Sequence, residues 1–188
     1  MIATSAAPHL FWITSRAAGS AALLLSSAGV GMGLLMGGRF AKRRMSDLRV
    51  LHEALSLATM AAIAVHALSL LGDQFMQPSL LDIAVPFASA YKTFWTSMGI
   101  VAGWAIIALG LSFYVRDRIG MQRWRRLHRY TALAWVLGLV HSLGEGTDAG
   151  TSWFLAMTAI AVVPALGLLL VRTVAGSRQP RADAPVAG

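Results

Sequence analysis

Five long apolar segments dominate this 188-residue chain and restrict the folds open to it. Each approaches the about 20 residues that an α-helix needs to cross about 30 Å of hydrocarbon. They cover residues 10–37, 50–71, 95–115, 127–144 and 152–172. Charged residues make up 13% of the sequence, about half of what a soluble domain carries. The sequence therefore predicts an all-α integral membrane bundle of about five transmembrane helices.

The basic residues orient this bundle. Loops 38–49 and 116–126 and the tail after 172 hold most of the 16 lysines and arginines, whereas loop 72–94 holds only Lys92 and loop 145–151 none. Lysine and arginine accumulate on the cytoplasmic side of membranes, so we expect the N-terminus outside and the C-terminus inside. The net charge of +8 is thus explained by topology and contact with lipid headgroups, and nucleic-acid binding is not expected.

The chain is expected to form one membrane domain, residues 1–175, followed by a disordered cytoplasmic tail, residues 176–188. The outer loop 73–94 has room for a short interfacial helix around SLLDIAVPF. Cysteine is absent, which excludes disulfides and cysteine-ligated iron–sulfur clusters. No grouping of residues favours hydrolytic catalysis.

Four of the five histidines form two pairs inside apolar segments: His52 with His66, and His128 with His141. Imidazole nitrogens need partners in hydrocarbon, and two imidazoles can bind haem iron from opposite sides. Spacings of 14 and 13 residues separate two levels by about 20 Å of helix. Because the second and fourth segments run parallel, the pattern predicts haem iron between His52 and His128 at the inner level. It predicts a second between His66 and His141 at the outer level.

The spacing of 13 poses a geometric difficulty, because it places two residues about 140° apart on a straight helix, whereas 14 places them about 40° apart. Three alternatives would accommodate this spacing: supercoiling, a local π or 3₁₀ distortion, or haems approached from different sides. The simpler interpretation of each histidine is an ordinary interfacial side chain.

Arg16 lies well inside the first segment, where a free guanidinium is costly. We expect it to pair with a propionate of the outer haem, the alternative being a side chain that reaches outward to water. Trp135 and Met60 lie between the two histidine levels and are interpreted as packing residues. Gly29, Gly33 and the glycines around them favour close helix packing.

Two stretches, LHEALSLATMAAIAVHAL (51–68) and LHRYTALAWVLGLVHSL (127–143), resemble the ferric reductase-like transmembrane domain, as does Arg16 in ITSRAAGSAALLL. That superfamily includes NADPH oxidases, ferric reductases and the haem subunit of the bacterial methionine sulfoxide reductase system. The resemblance covers about residues 10–172. It implies two b-type haems stacked across the membrane, with His52, His66, His128 and His141 as ligands.

The expected function is electron transfer by a haem b protein of the bacterial cytoplasmic membrane, as the membrane component of an oxidoreductase. We expect the chain to lack the FAD and NAD(P)H domains of larger members and to receive electrons from a separate flavoprotein or a quinol. Bound flavin or quinone has no support from the residues. The acceptor lies outside: ferric iron, oxygen, a quinone or a redox partner. The alternatives are a haem-free scaffold or assembly subunit, and a haem-based redox sensor.

Overall fold

The computed structural model describes residues 9–37 and 45–177, with side chains to residue 174. This part of the chain is helical throughout its regular structure and contains no strand, which confirms the predicted all-α class. The helices are α1 (Leu10–Met36), α2 (Met45–Ser69), α3 (Leu80–Ala84), α4 (Thr93–Leu111), α5 (Arg116–Ile119), α6 (Met121–His128), α7 (Thr131–Glu145) and α8 (Ser152–Ser177). Part of the predicted cytoplasmic loop, with the basic residues at 39–44, lies outside the described residues. So does the tail from residue 178.

Four helical stretches in these residues are long and apolar enough to cross a membrane: Leu10–Met36, Met45–Gly72, Thr93–Ile119 and Ser152–Val174. They correspond to the first, second, third and fifth predicted segments, and they make the chain a membrane protein. Short 3₁₀ turns at Leu70–Gly72 and Ser112–Val115 extend the second and third. The fourth predicted segment is divided, because α6 ends at His128 and the 15-residue α7 begins at Thr131.

The helices run alternately between two ends of the bundle. At one end Ser15 of α1 contacts His66 of α2, and Lys92, just before α4, donates hydrogen bonds to the last carbonyls of α7. We name this the outer end, and the opposite end, which contains His52 and His128, the inner end. The names follow the sides predicted from the basic residues, which remain a prediction. Helix α1 is central, since it packs against α2, α7 and α8, while α4 packs against α7.

The buried core lies where α1, α7 and α8 meet. Its members are Leu23, Trp135, Phe154, Val162 and Ala165. Trp135 is 1% exposed and donates from Nε1 to Ser27 Oγ at 3.0 Å, which satisfies a buried polar group of each helix. Trp135 therefore packs on the α1–α8 side of α7, as a packing residue does.

The outer loop folds back along α4 instead of standing free. Its short helix α3 begins with a capping box, in which Ser79 N donates to Asp82 Oδ2 at 2.8 Å and Asp82 N donates to Ser79 Oγ. Ser79 Oγ also donates to Asp82 Oδ2 at 2.7 Å, and this bond, together with that from Ser79 N, lowers the pKa of the exposed Asp82 carboxyl. Trp104 Nε1 then donates to Ala84 O at 2.8 Å, so the end of α3 is held against the side of α4.

Ser27→Ala is expected to destabilise the bundle by about 1–3 kcal/mol, because it leaves the buried Trp135 N–H without an acceptor. Thermal unfolding in detergent measures the loss. Ser26→Ala is the matched control: Ser26 Oγ also donates to Leu23 O, as Ser27 Oγ does, but it does not contact Trp135. Equal losses in the two variants would contradict the prediction.

Candidate functional site

The four histidines of the apolar segments come together as two pairs, one at each end of the bundle. The ring centroids of His52 and His128 are 6.2 Å apart, with an angle of 84° between the planes. Those of His66 and His141 are 6.3 Å apart, at 70°. These are the pairings expected from the parallel course of the second and fourth segments; iron binding by them stays a prediction.

The centroid separations fit one metal ion between each pair of rings. An imidazole nitrogen lies about 1.1 Å from the centre of its ring, given ring bonds of about 1.33 Å. Since nitrogen–metal bonds of histidine are about 2.0–2.1 Å, two imidazoles on opposite sides of one metal have centroids about 6.3 Å apart. Rotation about that common axis is free, so ring planes at 70° or 84° are acceptable. In residues 9–37 and 45–177 no group of three or more His, Asp or Glu side chains forms a conventional metal site.

The outer pair is oriented by backbone carbonyls. His66 Nδ1 lies 2.8 Å from Ser15 O, and His141 Nδ1 lies 2.9 Å from Trp95 O. Because a carbonyl only accepts, each Nδ1 carries the proton and each Nε2 keeps its lone pair. Ser15 Oγ adds a contact of 3.0 Å to His66 Nδ1. This is the arrangement in which metal-bound histidines are usually held.

The inner pair is held differently. His52 Nδ1 and His128 Nδ1 are buried and have no hydrogen-bond partner, although the backbones of Gly29 and Leu109 lie beside the two rings. The ring of His128 instead stacks on Trp124, with centroids 5.0 Å apart and planes within 23°. Buried imidazole nitrogens without partners are costly in an apolar bundle, so these two rings are less well satisfied than those of the outer pair.

Glycines let the neighbouring helices approach these rings. A Cβ atom on Gly19 would lie 2.9 Å from His66 Nδ1, and one on Gly33 would lie 3.3 Å from His52 Cε1. Gly99 of α4 has the same relation to His141, at 2.6 Å. Gly19 was not singled out from the sequence, yet its distance of 14 residues from Gly33 repeats the histidine spacing on the antiparallel helix α2.

Arg16 pairs with a carboxylate of the protein. Its Nε donates to Asp148 Oδ2 at 2.9 Å, its Nη2 forms an ion pair with Asp148 Oδ1, and its Cζ lies 4.1 Å from the ring centre of Trp12. The pair connects α1 to the loop between α7 and α8, beside Ser15 and the outer histidines. Sequence reasoning missed the role of Asp148, although the predicted loop 145–151 holds two acidic residues, Glu145 and Asp148, and no basic one.

A short break accommodates the spacing of 13 residues. Arg129 and Tyr130 separate α6 from α7, and the hydrogen bonds across them, Tyr130 N to Leu127 O at 2.9 Å and Ala132 N to Arg129 O at 3.3 Å, join residues three apart. This is a 3₁₀-type turn, one of the alternatives left open by the sequence. His128 thus ends one helix while His141 lies far along the next.

The Arg16–Asp148 pair is expected to show a coupling free energy of about 1 kcal/mol in a double-mutant cycle of Arg16→Gln and Asp148→Asn. The reason is that the Asp148 side chain is only 15% exposed, so solvent screens the pair little. Thermal stability of the four proteins gives the coupling. The control is a second cycle, of Arg16→Gln with Asp82→Asn. Asp82 forms its hydrogen bonds within its own turn, so the effects of these two changes on thermal stability should be additive.

One family comparison covers this site. The family model described as ferric reductase like transmembrane component matches residues 11–139, more than half of the chain. The matched region contains Arg16, His52, His66 and His128 and ends two residues before His141. No curated protein and no solved structure matches the chain.

Proposed function

Because the chain belongs to the ferric reductase-like transmembrane family, whose members act in electron transfer across membranes, we propose that it holds two b-type haems and passes electrons through them. One haem lies between His52 and His128, and the other between His66 and His141. The observation that carries the proposal is the separation of the paired rings, 6.2 and 6.3 Å, which suits one iron between each pair.

The haem supplies one-electron redox chemistry when it is bound. The residues of the chain orient the ligands and exclude water around them. The carbonyls of Ser15 and Trp95 keep the proton on Nδ1 of the outer histidines and leave Nε2 for iron. Along α2, the two levels are separated by about 21 Å, which is 14 residues of continuous helix. The arrangement supports two redox centres at different depths of one membrane.

Arg16 fits a second partner at the outer level. Its guanidinium has five N–H donors, and the contacts with Asp148 use those of Nε and Nη2. The remaining donors suit a haem propionate, so we retain that role for Arg16 in the proposal. Asp148 then holds the guanidinium at the outer end of the bundle.

The direction of transfer follows from the predicted orientation. With the basic residues of α5 and α6 on the cytoplasmic side, His52 and His128 would hold the haem nearer a cytoplasmic flavoprotein or membrane quinol donor, and His66 and His141 the haem nearer the outer acceptor. The chain would then be the membrane component of an oxidoreductase in a bacterial cytoplasmic membrane. The same basic residues are suited to anionic headgroups at that surface.

The purified protein, expressed with adequate haem, is expected to contain two b-type haems per chain, measured by dithionite-reduced minus oxidised spectra and haem extraction. His66→Ala and His141→Ala should each lose the same haem, and His52→Ala and His128→Ala the other, because each change removes one of the two side chains that would hold that haem. His9→Ala is the matched control and should keep both, since His9 is exposed at the start of α1.

A wild-type protein without haem would overturn the proposal and favour the scaffold function. If haem is present, vesicles with a reduced donor inside and an impermeant oxidant outside test transfer directly. Sustained oxidation by the wild type, lost in His66→Ala, is expected. Haem without flux would favour the redox sensor.

A further inference from the structure

Among the four ligand candidates, His128 has the least secure attachment. It is the last residue of α6, directly before the break at Arg129 and Tyr130, so the rigid part of α7 does not orient it. Its Nδ1 forms no hydrogen bond of normal geometry, in contrast to Nδ1 of His66 and of His141. The backbone of Leu109 in α4 approaches the ring but holds it less firmly than the carbonyls of the outer pair hold theirs, so a further contact is needed to fix the plane of this ring.

Trp124 is placed to fix the plane of the His128 ring. It lies one helical turn before His128 on α6, and the two rings stack at 5.0 Å between centroids and 23° between planes. Residues four apart on a helix share a face, so the stack needs no distortion of α6. A stacked ring restricts rotation of the imidazole about its Cβ–Cγ bond and leaves both ring nitrogens free.

Trp124 is in turn fixed to another helix. Its Nε1 donates to Ser112 Oγ at 3.1 Å, and Ser112 Oγ donates to Leu109 O at 2.6 Å. The ring of Phe113 meets the Trp124 ring at 6.0 Å between centroids and 61°. The 3₁₀ turn Ser112–Val115 thus presents both a hydrogen-bond acceptor and an aromatic edge to Trp124, and a continuous set of contacts runs from α4 to His128.

We propose that Trp124, anchored by Ser112, is the positioning residue of the inner iron ligand His128. His66 and His141 are oriented by backbone carbonyls, and His128 by an aromatic stack. This inference rests on the proposed function, because it takes His128 as an iron ligand. It adds that the inner haem responds to substitution of side chains that do not touch the outer site.

The test compares Trp124→Leu, Trp124→Phe and Ser112→Ala in the full chain, with low-spin EPR and redox titration of both haems. The EPR g values report the relative orientation of the two axial imidazoles. We expect Trp124→Leu to change the EPR signal of the haem that His128→Ala removes. The midpoint potential of that haem should shift by about 59 mV, which is a tenfold change in a one-electron reduction equilibrium. Ser112→Ala and Trp124→Phe should each give a smaller change in the same haem, because both lose the hydrogen bond between Trp124 and Ser112 but keep an aromatic ring beside His128.

Trp135→Phe is the matched control, because Trp135 also donates to a serine hydroxyl of another helix but lies in the α1–α8 core. It should lower thermal stability and leave both EPR signals unchanged. If Trp124→Leu leaves both haems unchanged, or changes them no more than Trp135→Phe does, the inference is wrong while the proposed function stands. If Trp124→Leu does not fold, Ser112→Ala takes its place in the comparison. The inference is then wrong if Ser112→Ala changes the two haems no more than Trp135→Phe does. A wild type without haem would instead defeat the proposed function itself.

Discussion

The need of each imidazole for partners in an apolar bundle determines most of this structure. A histidine ring has two nitrogens, and hydrocarbon satisfies neither. At the outer end one nitrogen of each ring meets a backbone carbonyl, of Ser15 for His66 and of Trp95 for His141. The second nitrogen of each ring, Nε2, keeps its lone pair. The helices must therefore bring carbonyls close to the rings, which fixes how α1 lies on α2 and α4 on α7.

Small residues make that close approach possible. Gly19 and Gly33 let α1 pass against His66 and His52, and Gly99 does the same for α4 at His141. Because α1 and α2 are antiparallel and both intervals are 14 residues, one helix register serves both levels. Since α1 also holds Asp148 through Arg16 and Trp135 through Ser27, the position of α1 couples the histidine sites to the bundle core.

The sequence predicts what depends on periodicity, length and charge. The apolar segments predicted the helices, and the parallel course of two of them predicted which histidines meet. It could not predict that Arg16 pairs with Asp148, because that contact joins residues 132 positions apart and depends on tertiary packing. Nor could it identify Ser15 and Trp95, since every residue has a carbonyl and position alone selects these two. The break at Arg129 and Tyr130 has no glycine or proline to announce it.

That break explains why the two levels differ. His52 and His66 belong to one continuous helix, and their spacing of 14 keeps them within about 40° of one face. The spacing of 13 on the partner side would turn His128 away from His52 if α6 and α7 were one straight helix. The 3₁₀-type turn at Arg129 and Tyr130 allows His128 to pair with His52, and it leaves His128 on α6 while His141 lies on α7. The orientation of His128 then depends on α6 itself, and α6 is joined to α4 by the hydrogen bond of Trp124 to Ser112. A spacing unsuited to a straight helix thus requires an additional contact at the inner end.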